Sequence, residues 1–513
     1  MAFTDYQRSA LRHPSRWLRN PQPENPDGED IPRRELSSLT VALTGQGHIF
    51  NMVGSDRLMH FAVNVLRIPP VTFGSVMAGT VFFDAFNDLA AGAIVDNHRF
   101  KDGRKLLPWM KFTVPLIGLF SFLLFTNLGL PPGLSMIYTL VMFLLWDVFY
   151  SLHDAAMWGM TAAIHPSSRQ CARTVQWADM GVFFGGLLPG LTDVFLGGGG
   201  VMGMNQQQWY SVFAVVLCLG GGFMLLLALR MKERVRSQPA AKIPGESRAK
   251  QTAAALLKNI ARVRVNHVLL LFFAVRMFES LTPNVSNIFM FQDMADYNVL
   301  GLFNIHPTLM ITIFTIVFGF PGAALKPFAL KIADRVGNMK TILIIGRVTA
   351  VITRTLGFFV GVSTWQRMML VCLLDGISEL PNSLFNIAQR SMLSDSVDYV
   401  EWKTGHRTEA MTMSIRNLMG KSGAAMRRFL MGFTLRFLQH SPDATAASQP
   451  QNAHFQRWVW PAFRLGPAMG LVLSLIPLLL INYPNSLRDQ VEGDLAARRA
   501  DEQALRDDAF DAQ

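Results

Sequence analysis

The sequence predicts an all-α membrane protein of twelve transmembrane helices in two six-helix bundles, with both termini cytoplasmic. Three observations carry this. Half of the 513 residues are apolar, only 16% are charged and 38 are Phe, a composition that suits a bilayer better than water. The apolar residues fall in blocks of about 20, the length that crosses a hydrocarbon core of about 30 Å. Lys and Arg crowd alternate connections between the blocks, as they do in cytoplasmic loops.

In order, the predicted spans are 39–66, 71–95, 107–128, 135–160, 176–196, 209–230, 266–290, 307–330, 341–362, 368–392, 409–437 and 459–482. The connection from Arg230 to Arg264 holds ten basic residues, and the turn DNHRFKDGRK after the second span holds four. The loops of opposite sense hold three, Arg67, Arg367 and Arg457. The net charge of +11 is thus a topological signal, and no nucleic-acid partner is expected. The chain divides into a cytoplasmic N-terminal tail (1–38), a first bundle (39–230), a cytoplasmic linker (231–265), a second bundle (266–482) and a cytoplasmic tail (483–513). Residues 1–38 are polar and Pro-rich without the apolar core of a cleaved leader. The tail after Tyr483 reads as a solvated helix or disordered chain.

Cys171, Cys218 and Cys372 have no CxxC spacing, so neither a disulfide framework nor a zinc site is expected. Glycine pairs such as Gly185-Gly186 and the run Gly220 to Gly222 suit close helix packing. Gly197 to Gly200 lacks the strand and lysine of a phosphate cradle. An acid-basic-glycine turn recurs in the halves, at Asp96, Gly103, Arg104 and Lys105 and again at Asp334, Arg335, Gly337 and Lys340. Such repetition marks a transporter whose site lies between two related bundles.

The chemistry sits inside the spans. Asp84, Asn87 and Asp88 stand at i, i+3 and i+4, which places three oxygen-bearing side chains on one helix face. Ser151, Asp154 and Trp158 stand at i, i+3 and i+7 on the fourth span. An ionised carboxylate near the bilayer centre costs roughly 2.5–3.5 kcal/mol, so three are kept where something positive binds. Carboxylate, amide and hydroxyl oxygens are the ligands a hard cation wants. Helix-to-helix hydrogen bonding is the plainer role for such groups. Lys421 lies inside the eleventh span with Arg416, Arg427 and Arg428. Asp56, Arg57 and His60, and Arg276 with Glu279, read as local ion pairs. No nucleophile, base and orienting group stand together, so enzyme chemistry is not expected.

Two segments resemble a known family. FFDAFNDLAAGAIVD followed by DGRKLLPW, and SMLSDSVDYVEWKTGHRTEAMTMSIRNLMGKSG, are similar to the signature regions of the glycoside/pentoside/hexuronide cation symporters, the melibiose permease-like family of the major facilitator superfamily. The resemblance implies the major facilitator fold and a cation site of Asp84, Asn87, Asp88, Ser151 and Asp154. It implies sugar contacts at Asp154, Trp158 and Lys421, so that one carboxylate serves both ligands. The stretch that contains Asp395, Asp398, Glu401, Lys403, Arg407 and Glu409, with the two repeated turns, is expected to form a charged cytoplasmic gate, a solvated charge cluster being the plainer reading. The chain departs from the family on the first span, where GQGHIFNMVG holds no acid and Asn51 is the nearest polar candidate. On the fifth span, near the family's sugar-binding arginine, it has Trp177, Ala178 and Asp179.

The expected function is cation-coupled symport of a sugar or glycoside by alternating access across the cell membrane. The coupling ion would be Na⁺ or H⁺, the protein a monomer, and no cofactor or metal is expected beyond a transported Na⁺. An uncoupled facilitator or exporter, and a non-transporting sugar sensor, are the alternative readings.

Overall fold

Long apolar runs, punctuated by Gly, Pro and Asn, set the helices of the computed structural model. It describes residues 31–233 and 266–497, apart from 55, 98–99, 101–105, 165–167, 197–203, 292–293, 326–331, 333–334, 336–338, 405–408, 447–448, 485, 492 and 496. The first half contains α1 (Arg33–Val53), α2 (Asp56–Asn64), α3 (Pro70–Asn97), α4 (Leu107–Leu124), α5 (Pro132–Ala163), α6 (Ser168–Leu196) and α7 (Gln206–Arg230). The second contains α8 (His267–Ser280), α9 (Asn287–Phe291), α10 (Pro307–Leu325), α11 (Met339–Val360), α12 (Trp365–Thr404), α13 (Glu409–Phe437), α14 (Pro442–Ala446) and α15 (Ala453–Leu480).

Local chemistry explains several ends. Asn205 caps α7 in a reciprocal box, accepting from the Gln208 N–H at 2.9 Å while its own N–H donates to Gln208 Oε1 at 2.8 Å, which satisfies otherwise orphaned donors. Asn266 and Asn452 cap α8 and α15 by accepting from the Leu269 and Phe455 amides. Within α7 the backbone loosens into a π-helical turn at Ala214–Leu219.

Two predicted spans are broken. The first divides at Gly54 into α1 and α2, and the seventh divides at 281–286, around Pro283, into α8 and α9. Apolar runs flank both points closely enough to be read as one span each, but Gly54 before the polar Asp56 and Arg57, and Pro283, which lacks an N–H, between Thr282 and Asn284, end the helical ladder there. The chain is also not purely helical among the described residues. β1 (Tyr297–Val299) and β2 (Phe303–Ile305) pair antiparallel between α9 and α10. Leu300 and Gly301, with φ of 56° and 75°, make the turn that matches strand twist. The tenth span was expected to end at 392, yet α12 continues to Thr404. Residues 486–497 are helical where described and bury Val491 and Leu495, so the expected solvated tail packs one side inward.

The packing repeats between the halves. α1 packs on α6 and α7, α3 and α4 pack on α5, and α4 packs on α7. Correspondingly, α8 packs on α13 and α15, α10 and α11 on α12, and α11 on α15. The halves meet along α3 with α13 and α6 with α10. Glycines permit the close crossings: a Cβ on Gly47 would lie 2.7 Å from the Gly185 Cα, and one on Gly45 would lie 2.4 Å from the Gly221 carbonyl oxygen. Small residues at such crossings let backbones approach.

Five helices among the described residues are long and apolar enough to cross a membrane: Leu107–Leu124, Pro132–Thr161, Gln206–Arg230, Met339–Val360 and Ala453–Leu480. Helices such as α3, α12 and α13 carry the acids, amides and arginines described next, which lowers their hydropathy.

One end of the bundle is sealed across the halves. Arg67 pairs with Asp443 at 3.2 Å, His440 Nε2 lies 2.9 Å from Asn64 Oδ1, and an Arg428 guanidinium N–H donates to the Gly54 carbonyl. Beneath these ties α13 lies directly on α3, where a Cβ on Gly432 would come within 2.5 Å of the Pro70 carbonyl oxygen.

Candidate functional site

A cavity of about 950 Å³ lies between the halves. Its first wall comes from α3 and α5. Helical spacing brings Asp84, Asn87 and Asp88 to one face of α3 and Asp147, Ser151 and Asp154, at i, i+4 and i+7, to one face of α5. The two helices pack together, so the faces meet.

Three subsets result. Asn87 Nδ2 is the hub of the first, within 2.9 Å of Asp147 Oδ2, 3.1 Å of the Asp147 carbonyl and 3.1 Å of Ser151 Oγ. The carboxyl groups of Asp84 and Asp147 come within hydrogen-bond reach of each other, an arrangement that calls for a proton or a cation between them. Asp84 Oδ1 is buried without a hydrogen-bond partner. The second subset is Asp88, which accepts from Ser151 Oγ at 2.8 Å and from Lys421 Nζ at 2.6 Å. Lys421 belongs to α13, so this ion pair crosses between the halves. The third is Asp154, whose Oδ1 accepts from Gln46 Nε2 at 2.7 Å and from Trp158 Nε1 at 3.1 Å. Gln46 also reaches the Tyr150 hydroxyl at 3.2 Å.

Of the five residues expected to hold a cation, Asn87, Asp88 and Ser151 are joined by direct hydrogen bonds. Asp84 meets them through Asp147. Asp154 lines the same cavity but stands with Gln46 and Trp158. Asp147 is the residue that sequence reading missed, although an acid four residues before Ser151 in an apolar span was a sufficient signal. Among the described residues no three acidic, imidazole or thiol groups converge as a metal-holding cluster; in this conformation the acids form separate subsets and Lys421 occupies Asp88.

Among the residues expected at the sugar, Lys421 lines the cavity and Trp158 is held on Asp154. Asn51 is placed differently: its Nδ2 donates to the Gly47 carbonyl of its own helix at 2.8 Å, beside Gly186 of α6. The polar group of α1 that reaches the first wall is Gln46. Trp177 offers its carbonyl to Thr40 Oγ1 at 3.0 Å, Ala178 is buried, and the Asp179 side chain lies outside the described residues.

The second wall is basic. Arg276, Arg347, Arg416 and Arg428 line it with Glu279. Glu279 Oε2 accepts from Arg276 at 3.2 Å, the expected local pair, and also from Arg347 at 3.1 Å. Arg57 pairs with Asp193 on α6 at 3.0 Å instead of with its neighbour Asp56, and His60 meets the Tyr210 hydroxyl. Asp375 is taken by Arg464 at 2.8 Å.

Of the expected gate, Asp398, Glu401 and Lys403 lie in the last turns of α12, with the Lys403 ammonium 4.5 Å from the centre of the Trp402 ring. Trp402 Nε1 donates to Asp494 of the tail at 2.8 Å. Arg407 and the side chains of Asp395 and Glu409 lie outside the described residues, as do Asp334, Gly337 and residues 101–105 of the repeated turns. Lys340 Nζ donates to the Leu479 and Ile481 carbonyls at 2.8 and 2.7 Å, closing the end of α15. Cys218 and Cys372 are buried free thiols.

A sequence profile described as MFS/sugar transport protein matches residues 45–485. The chain belongs to this family. It is 23% identical over 486 residues to an isoprimeverose transporter of Lactiplantibacillus pentosus, covering 93% of this chain and 94% of that protein. It is 25% identical to a putative 2,3-dihydroxypropane-1-sulfonate exporter of Escherichia coli strain K12, covering 83% and 88% of the two. A crystal structure of a nucleoside transporter shares the fold at a TM-score of 0.53 and 12% identity, covering 87% of this chain and 99% of that one. This family member is therefore a multi-pass membrane transporter of the cell membrane and not an enzyme.

Proposed function

We propose that this transporter is a cation-coupled symporter of a sugar or glycoside that works by alternating access. Twelve spans form two six-helix bundles, 39–230 and 266–482, joined by the cytoplasmic linker 231–265, with both termini in the cytoplasm and the monomer as the working unit. The observation that carries the reading is Asp88. It accepts from Ser151 of its own half and from Lys421 of the other, so the charge state of one carboxylate bears on a contact between the halves.

The acids and Asn87 provide oxygens for Na⁺ or a carboxyl pair for H⁺, and Asp154, Trp158 and Lys421 face the solute. The name of the isoprimeverose transporter supports a saccharide. The sealed end then faces outward, since it carries the poorly basic loops, and the conformation is closed to the outside. The stretch from Asp395 to Glu409 gates the opposite end.

Uptake into vesicles with and without an imposed Na⁺ or pH gradient tests the coupling. Asp88→Cys is expected to abolish cation-stimulated uptake while leaving some solute binding; unchanged coupling in that variant contradicts the assignment. Similarity to the putative exporter of Escherichia coli favours a second reading, export, which is supported instead if solute moves only from inside to outside in oriented vesicles.

A further inference from the structure

The second wall of the cavity carries groups that neither the cation site nor Asp154, Trp158 and Lys421 employ. Glu279 stands in the last turn of α8, just before the break at 281–286, where the negative end of the helix dipole disfavours a carboxylate. Two guanidinium groups hold it there. Its Oε2 accepts from Arg276 Nη1 of the same helix at 3.2 Å and from Arg347 Nη2 of α11 at 3.1 Å. Both bonds fall on one oxygen. Asp375, by contrast, has its two oxygens 3.0 and 2.8 Å from Arg464 Nη1, so that pair is complete within the protein. Glu279 Oε1 takes no donor among the described residues, and the side chain, 21% exposed, lines the cavity.

Arg347 is bonded incompletely too. It is 6% exposed, and its Nε–H is enclosed without an acceptor, an arrangement that is costly when nothing supplies an oxygen. Its guanidinium carbon lies 4.2 Å from the centre of the Phe385 ring, a cation–π contact that keeps the group beside the cavity. One helical turn beyond Phe385 on α12, Gln389 lines the same space, and its amide makes no hydrogen bond among the described residues. The set therefore offers a carboxylate oxygen that only accepts, guanidinium groups that only donate and an amide that does both. Adjacent hydroxyl groups match it: one donates to Glu279 Oε1 while its neighbour accepts from a guanidinium N–H. A bare anion would meet the carboxylate and a bare cation the arginines, so a neutral polyol fits better than either ion.

We propose that Glu279, with Arg276, Arg347 and Gln389, forms a diol subsite in the second bundle that binds two adjacent, uncharged hydroxyl groups of the transported solute. The inference rests on the symport reading and extends it. A solute held by Asp154 and Trp158 on the first wall and by Glu279 on the second is tied to both bundles at once, so its hydroxyl pattern governs how well they close around it. Such a site discriminates by position, because an analogue lacking one hydroxyl leaves enclosed polar groups without a partner.

The test uses the full chain, purified and also reconstituted in liposomes, with the methyl glycosides of glucose, galactose and xylose and with maltose as probes. Uptake driven by an imposed Na⁺ or pH gradient selects the best of them as reporter, and its monodeoxy analogues are compared by competition. Loss of a hydroxyl is expected to weaken binding about tenfold or more at two adjacent ring positions. Glu279→Asp keeps the charge facing Arg276 and Arg347 but withdraws the carboxylate by one methylene, and Gln389→Leu disturbs no ion pair. Each is expected to weaken reporter binding about tenfold and to shrink at least one of those two deoxy penalties below about threefold, the mark of a direct contact in a double-substitution cycle. Cation-induced thermal stabilisation monitors folding, and the penalties are read on whichever variant keeps it. Deoxy penalties unchanged in the folded variants, or loss of that stabilisation in both, overturns the diol subsite and leaves symport standing. Absence of gradient-driven uptake for every probe overturns both.

Discussion

Replacing Gly432 by alanine should force the sealed end of the bundle apart. The added Cβ would sit 2.5 Å from the Pro70 carbonyl oxygen, 3.1 Å from its carbonyl carbon and 3.3 Å from the Val71 Cα. All three are backbone atoms, which cannot swing away as a flexible side chain does. Ordinary contact begins near 3.4 Å, so α3 and α13 must part by about 0.9 Å, the difference between 3.4 and 2.5. Overpacking of this kind costs about 1–3 kcal/mol, and it is relieved in any conformation that separates α3 from α13. A difference of that size between two states shifts their ratio by about 5- to 150-fold. Alanine also gains helix propensity over glycine, and Gly79→Ala on α3, where a Cβ meets nothing within 4 Å, measures that gain alone. The assay is labelling of Met77→Cys, a cavity position, by a membrane-impermeant maleimide applied to the outside, in a chain otherwise free of cysteine. Gly432→Ala should raise the labelling rate at least fivefold and Gly79→Ala should not. Equal rates in both would refute the reasoning that this contact holds the outer end shut.

Asp147→Asn should reduce cation-stimulated uptake at least tenfold while solute binding persists, because the amide keeps the Asn87 contact but loses the charge; a normal cation response would remove Asp147 from the site. Gln46→Leu deletes the 2.7 Å hydrogen bond to Asp154 and leaves a buried carboxylate short of a donor, at a cost of about 1–3 kcal/mol; titration calorimetry should show a five- to hundredfold loss in solute affinity, and an unchanged value would deny Gln46 its positioning role. The outer seal should weaken in acid. Burial, with the nearby charges of His60 and Arg67, pulls the His440 pKa from 6.5 down to about 3, so the sealed state holds a neutral imidazole. Its contribution is complete above pH 6.5 and declines as the pH falls from there toward 3. Maleimide accessibility, normalised to an exposed loop cysteine, should therefore rise between pH 7.5 and 5.5, and His440→Gln should flatten the profile.

What the sequence disclosed follows from which forces act locally. Asp84, Asn87 and Asp88 stood out because a carboxylate in an apolar run is costly, and helical spacing alone put them on one face. The same reasoning applied to Asp147, which lies on the Ser151 face of an equally apolar span. The broken spans were hidden because the polar breaks are short, Gly54 to Arg57 and Thr282 to Asn284, and the apolar runs on either side of each add up to the length of one span. The hairpin at 297–305 depends on Leu300 accepting a left-handed turn beside Gly301, which hydropathy cannot register. Partners across helices were the least legible. Arg57 finds Asp193 rather than its neighbour Asp56, and Asn51 turns to its own Gly47 while Gln46 takes Asp154, choices set by how α1 and α2 lie against α5 and α6.

The Lys421–Asp88 pair gives the symport reading its economy. An ammonium 2.6 Å from Asp88 Oδ2 neutralises that carboxylate as a bound cation would, without supplying an ion to carry. A mobile cation that takes Asp88 must compete with this tethered one, and winning the competition releases a tie between α3 and α13, the helices that also form the outer seal. A freed Lys421 ammonium, beside the arginines of the second wall, in turn raises the demand for an anionic or richly hydroxylated solute. In the proposed symport each ligand would thus improve the site for the other through one lysine, and that reciprocity is the thermodynamic content of coupling.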